Sequence, residues 1–268
     1  MIPLRDNIPS RTTPVVNYAI IGACTAAFLL QLAHPDLTER LAMIPARVTH
    51  GIDQVLVHDI VEIPTRRGIV ERATLRQAQP ALVPEWLTLL TCTFLHGGWL
   101  HFLGNMWFLW IFGDNVEDRL GHAGYAGFYL AWGVLASGTH LALSTGSNLP
   151  TVGASGAIAG VMGAYLLLYP HALVQTLVPL YFILQVLVLP AWLFLGIWFA
   201  IQLLQGSFAI GNLEAGGVAW WAHIGGFVAG AVTVLALRNH GLRPPVGDRR
   251  LRVDRMGSYR LRGRHPFD

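Results

Sequence analysis

The sequence predicts an all-α membrane protein, a bundle of six transmembrane helices, on three observations. Hydrophobic residues make up 53% of the 268 and charged residues 12%, against roughly 25% charged in soluble domains. Apolar runs near the length needed to span a bilayer recur along the chain, separated by stretches rich in glycine, proline and polar side chains. All 18 basic residues are arginine, and nine of them fall within residues 238–268 beside three acids, so the net charge of +3 is mostly a property of the tail.

Taken in order, residues 1–14 are short and polar, an expected cytoplasmic N-terminus. Residues 15–33 are long and apolar enough for the first span. A cleaved signal peptide is the rival reading, but the run exceeds a typical signal core and no small-x-small cleavage site follows Gln31. Residues 34–92 form a long first loop. Its 34–79 portion carries six arginines and six acids, with a β-branched piece at 55–63 and a polar piece at 65–79. That stretch is too polar to cross a membrane and reads as solvated loop, with a partner-binding surface as the alternative. Residues 82–90 suit the interface, with Trp86 as anchor.

The second helix is expected over 98–112, followed by Asp114, Glu117, Asp118 and Arg119 as its water-exposed far end. A third spans about 122–143 and contains His140. The fourth, about 155–169, reaches only about 22 Å at 1.5 Å per residue against a hydrocarbon core of about 30 Å. Ser155 at its start is therefore expected below the membrane surface, under a water-filled cavity. Residues 171–189 are apolar but broken at Pro179 and Pro190, and read as interfacial or irregular. The fifth helix is placed at 190–205, a polar loop at 206–217, the sixth helix at 218–237 and a basic cytoplasmic tail at 238–268. Six spans put both termini on one side. The arginine-rich tail makes that side cytoplasmic, and Arg5, Arg11 and Arg119 agree. Ser155 and the first loop then face the other way.

The chemistry concentrates at residues 151–165, TVGASGAIAGVMGAY, where Ser155 is framed by Gly153 and Gly156 at the mouth of an apolar helix. The first amides of a helix lack partners and point toward such a residue, offering donors to an anion. Small residues also let membrane helices pack closely, and taken alone this stretch favours that packing reading. His223 lies beside the small-residue face Ala222, Gly226 and Gly230 of helix six, and helix four carries a matching face. If these faces meet, His223 reaches Ser155. His101 and Asn105, four residues apart, share one face of helix two, and polar groups at membrane depth normally face the bundle interior. No acid falls inside a predicted helix core, the nearest being Asp114 and Glu214, which favours a Ser–His dyad over a triad. Cys24 and Cys92 sit in apolar surroundings without CxxC spacing, suggesting neither a disulfide framework nor a zinc site.

Gly-Ala-Ser-Gly at 153–156, His-x-x-x-Asn at 101–105 and Ala-His-x-x-Gly at 222–226, in this order over six predicted helices, closely resemble the rhomboid family of intramembrane serine proteases. The resemblance covers about residues 15–237, apart from the first-loop insert, and implies a six-transmembrane-helix rhomboid-like bundle. It implies Ser155 as nucleophile, His223 as general base, and His101, Asn105 and the Ser155 amide as oxyanion hole. Gly153, Gly156 and His96 would support them. It further implies hydrolysis of peptide bonds in or near transmembrane segments of substrate proteins, with no metal or organic cofactor.

Two positions depart from the family pattern. A Trp-Arg pair often found in the first loop is here Trp86-Leu87, and the aromatic that many members carry four residues after the serine is here Ala159. The expected setting is a bacterial cytoplasmic membrane, with the site opening to the non-cytoplasmic side. The basic tail suits anionic lipid headgroups, and no recognised nucleic-acid-binding fold accompanies it. Two other classes compete: a non-catalytic relative that binds client helices, and a transporter using His101, His140 and His223 as a proton path. The first would usually lack the serine or the histidine, and the second would show paired carboxylates or inverted repeats.

Overall fold

The computed structural model describes residues 1–51, 55–65, 68–180, 183–209, 218–239, 242–243, 251–253 and 259–261. The chain is mostly helical. Among the described residues six helices hold 14 residues or more: α1 (Val15–Ala33), α5 (Trp99–Leu120), α6 (His122–Leu143), α7 (Ser155–Leu168), α8 (Ala191–Ala209) and α9 (Trp220–Leu237). Between α1 and α5 lie the short helices α2 (Asp36–Leu41), α3 (Pro45–His50) and α4 (Thr88–Thr91). By length and composition, α1, α8 and α9 are each able to cross a membrane, and α7 is a shorter apolar helix.

Helix α7 is the hub. Its residues 156–165 are all buried, because glycine and alanine on every side let neighbours approach to backbone distance. A Cβ at Gly226 or Gly230 would collide with the carbonyl oxygen of Gly156 or Gly160, and one at Gly163 with that of Phe227. The α7–α9 contact is thus backbone against backbone. Large aromatics fill the rest of the interior: Tyr125, Tyr129 and Trp132 of α6, Phe112 of α5, Tyr165 of α7 and Phe194 of α8. Their polar ends find partners where the fold allows. Tyr125 donates to Asn17 Oδ1 at 2.8 Å, and Trp132 Nε1 donates to Thr233 Oγ1 at 3.0 Å. Outward positions are apolar too, among them Leu30, Leu100, Trp110, Leu135, Phe208 and Leu235. An apolar exterior around an apolar core is that of an integral membrane protein.

Three segments differ from the sequence reading. Within residues 171–190, β4 (Leu173–Leu180) pairs antiparallel with β5 (Ile183–Pro190), and β1 (Ile2–Asp6) is added as a third antiparallel strand on β4. Pro179 and Pro190 sit near strand ends, where a missing donor breaks no central ladder. The N-terminal segment is accordingly docked rather than free: Leu173 N donates to Asn7 Oδ1 at 2.7 Å and Trp107 Nε1 to the Pro3 carbonyl at 2.6 Å.

The acids expected at a water-exposed end are buried, Glu117 at 1% and Asp118 at 2% exposure. Glu117 accepts from the amides of Val16 and Asn17 at 3.1 and 2.7 Å, satisfying orphan donors of the first turn of α1. Asp118 accepts from Arg11 N at 2.5 Å and Thr12 Oγ1 at 2.6 Å. Helix α5 therefore runs two turns past the expected stop at 112.

The β-branched and polar pieces of the first loop are the two strands of one hairpin, β2 (Leu56–Thr65) and β3 (Gly68–Gln77). Glu214, most of the loop expected at 206–217 and most of the tail lie outside the described residues. Within the tail, β6 (Leu251–Val253) pairs with β7 (Tyr259–Leu261).

Candidate active site

Ser155 opens α7 directly after a tight turn. Gly153 has φ of +138°, and its amide donates to the Cys92 carbonyl at 2.9 Å. A Cβ there would lie 2.9 and 3.0 Å from His101 Cε1 and Nε2, and 3.2 Å from Ser155 Oγ. Glycine is thus required both by conformation and by the approach of His101 to the serine. The loop before it is pinned by Met43 and Thr151, whose amides and carbonyls exchange hydrogen bonds at 3.1 and 2.8 Å.

His223, 9% exposed on α9, places Nε2 at 2.8 Å from Ser155 Oγ. The close α7–α9 packing at Gly156 and Gly226 brings them together, as the small-residue faces require. The other ring nitrogen, Nδ1, lies 2.7 Å from Gln202 Oε1 on α8. The sequence reading missed Gln202. Its signal was the single polar side chain within residues 191–204, which at membrane depth is expensive unless it serves a purpose. The space that Ala159 leaves is not filled from α7. Instead Trp198 of α8 and Trp220 of α9 stand 5.8 and 6.2 Å from the His223 ring.

His101 accepts at Nδ1 from the Gly97 amide at 3.2 Å. A backbone N–H can only donate, so the neutral ring carries its proton on Nε2, the nitrogen that a Cβ at Gly153 would meet at 3.0 Å. Asn105, one turn on, is 8% exposed and its Nδ2 has no partner. A buried donor left unsatisfied carries a desolvation cost that an incoming acceptor removes. His101, Asn105 and Ser155 line one cavity of about 220 Å³ with Phe108, Met162 and Trp198. His96 is 2% exposed, edge-on to Phe102 at 5.2 Å and 5.6 Å from His101, and both its ring nitrogens lack partners. Its backbone is gripped by the Gln31 side chain, which accepts from His96 N at 2.9 Å and donates to His96 O at 3.1 Å. His140 of α6 makes no hydrogen bond through Nδ1.

The first loop is braced where the Trp-Arg pair is missing. Arg47 of α3, 4% exposed, meets Glu85 at 2.7 Å and donates to the carbonyls of Ala42 and Gln79 at 3.0 and 3.1 Å. Its neighbour Trp86 is 70% exposed.

The family model described as the rhomboid domain matches residues 83–240, more than half of the chain. The chain belongs to the rhomboid family. Among curated relatives, this rhomboid is 41% identical over 80 residues to Rhomboid-like protein 11, chloroplastic, of Arabidopsis thaliana, covering 29% of the chain and 28% of the relative. It is 42% identical over 82 residues to Rhomboid protease GluP of Bacillus subtilis, covering 31% and 16%. It is 36% identical over 83 residues to Putative rhomboid protease YdcA of the same organism, covering 31% and 41%. Each match spans less than half of the relative's own length.

Proposed function

We propose that this rhomboid is an intramembrane serine endopeptidase that hydrolyses peptide bonds in or near transmembrane segments of membrane proteins by a Ser155–His223 dyad. The observation that carries the proposal is the 2.8 Å contact between Ser155 Oγ and His223 Nε2, opening on a cavity that also holds the unpartnered donor of Asn105. Ser155 Oγ attacks the scissile carbonyl while its proton passes to His223 Nε2. The negative charge on the carbonyl oxygen is met by His101 Nε2–H, Asn105 Nδ2–H and the Ser155 amide. Collapse breaks the C–N bond, and the leaving amine takes the proton from His223. Water then repeats the cycle on the acyl-enzyme, releasing the carboxylate and restoring Ser155. The carbonyls of a substrate helix are locked in hydrogen bonds, so the segment unwinds before attack, and helix-breaking residues near the cut favour it. The chemistry uses no metal or organic cofactor.

The domain organisation that fits this reading is a membrane unit at 15–237 with six spans, a cytoplasmic segment at 1–14 and a cytoplasmic tail at 238–268. The site then opens to the non-cytoplasmic side, and a bacterial cytoplasmic membrane suits it. The partners are transmembrane substrates and membrane lipids. Gly153 and Gly156 serve by their lack of bulk, and His96 by packing on His101.

The test is cleavage of a model transmembrane substrate by purified protein. Ser155→Ala and His223→Ala are each expected to abolish it without loss of folded protein, and fluorophosphonate is expected to label the wild type at Ser155 alone. Substantial hydrolysis by Ser155→Ala would sink the assignment.

A further inference from the structure

A general base must present a bare nitrogen to the nucleophile, and a neutral imidazole has two tautomers of which only one does so. In a buried site with no carboxylate beside the ring among the described residues, something else has to choose between them. Gln202 is 5% exposed, on α8, with its Oε1 at 2.7 Å from His223 Nδ1. Its Nε2 donates to the Trp198 carbonyl, one turn earlier, at 3.3 Å. That second bond fixes which way the amide points. Flipped, Gln202 would set its oxygen against the Trp198 carbonyl oxygen and its NH2 against His223, losing one bond and adding a repulsion.

With the oxygen facing the ring, Nδ1 must carry the proton. Nε2 is then bare and able to accept from Ser155, 2.8 Å away. We propose that Gln202 is a positioning residue that holds His223 in its Nδ1–H tautomer and in line with Ser155, through a chain of hydrogen bonds from Ser155 to His223 to Gln202 to the Trp198 carbonyl.

This inference rests on the proposed protease function and adds to it a third residue, drawn from a helix that supplies neither member of the dyad. It also accounts for Ala159. No ring on α7 holds the imidazole, and the restraint comes instead from α8, where Gln202 binds the ring edge and Trp198 stands 5.8 Å away. Trp198 is itself stacked on Phe227 at 6.0 Å, one turn beyond His223 on α9. A neutral partner fixes geometry and tautomer without adding charge. Gln202 thus does part of what the acid does in a Ser-His-Asp triad.

Three measurements test the proposal. First, histidine-selective 15N labelling of the full-length protein in micelles, with His223 assigned by its loss in His223→Ala, is expected to show a protonated Nδ1 and a bare Nε2. In Gln202→Met the His223 signals are expected to shift toward a mixture of tautomers. Second, Gln202→Met keeps the side chain's length but removes the acceptor. It is expected to lower kcat by roughly tenfold or more with KM within about twofold, since a tautomer fault acts on the chemical step. Third, Gln202→Glu keeps an acceptor whether or not it is ionised, and is expected to restore most of the kcat lost in Gln202→Met. A residue that merely packs would be better replaced by methionine than by glutamate.

A wild-type His223 protonated on Nε2, or an unchanged kcat in Gln202→Met, overturns the proposal. If Gln202→Met does not fold, the wild-type spectrum and Gln202→Glu decide. A wild type that shows the Nδ1–H tautomer but no Ser155-dependent cleavage overturns the protease reading and leaves the tautomer assignment standing.

Discussion

Asn105 shows how much a single side chain discloses about a site. Its Nδ2 is buried in an apolar helix bundle without a partner, an arrangement that costs stability unless a ligand completes it. Removing one oxyanion donor from a serine protease typically costs about 2.7 to 4 kcal/mol. Here His101 and the Ser155 amide share the charge. Asn105→Ala is therefore expected to slow turnover by roughly tenfold or more, with little change in melting temperature because no protein hydrogen bond through Nδ2 is lost. Unchanged turnover would make Asn105 a packing residue. Ser155, His223, His101 and Asn105 were legible in the sequence because polar, reactive side chains are conspicuous in apolar helices and their spacings match a known pattern. Gln202 and Arg47 were not. Each acts on a residue remote in sequence, Gln202 on His223 and Arg47 on Glu85, and neither belongs to a motif.

At the scale of the elements, the α7–α9 contact decides whether the dyad exists. Gly226 lies against the Gly156 carbonyl, one residue past Ser155. Gly226→Val must push the helices apart, and a small displacement of a catalytic group can cost orders of magnitude in rate. It is expected to abolish measurable cleavage, whereas Gly127→Val on α6, where a Cβ meets nothing within 4 Å, is expected to retain activity. Equal activity of the two variants would show that something other than helix packing places His223.

The N-terminal strand makes a second prediction at this scale. Burial pushes the Asp6 carboxyl up from 3.8 to about 7, against the lowering effect of a hydrogen bond from Tyr165. A carboxyl raised on folding binds more protons folded than unfolded between those two values. Its contribution to stability is thus full below about pH 4 and lost as pH rises to about 7. Asp6→Asn cannot ionise. Its melting temperature relative to wild type is expected to rise between pH 4.5 and pH 8, and a difference that is flat or falls with pH would contradict the burial of Asp6. The helix positions were readable from apolar run length. The burial of Glu117 and Asp118, and the third strand formed by residues 2–6, were not, because the partners that satisfy them are separated by about a hundred residues or more.

The whole molecule has two chemically distinct ends. At one, Arg11 and Thr12 bind Asp118 at the end of α5, and the start of the tail joins them: Arg243 N donates to the Arg119 carbonyl at 2.9 Å and Arg119 Nε to the Arg243 carbonyl at 2.7 Å. At the other, the first loop meets the turn before Ser155: Ala46 N donates to the Ser147 carbonyl at 3.0 Å, beside the Met43–Thr151 pair, and Thr49 Oγ1 to that of Thr145 at 3.0 Å. A six-span topology puts these ends on opposite faces of the bilayer, with the arginines inside. His50 and Asn239 are exposed, one at each end, and the native Cys24 and Cys92 are buried at 0% and 2% exposure, so labelling background is low. His50→Cys is expected to react with an impermeant thiol reagent added to intact cells, and Asn239→Cys only after the membrane is opened. If both react in intact cells, or neither does, the odd number of crossings that six spans require between residues 50 and 239 is excluded. If neither reacts, the placement of Ser155 on the non-cytoplasmic side falls as well, because α7 enters the bundle from the end that His50 marks.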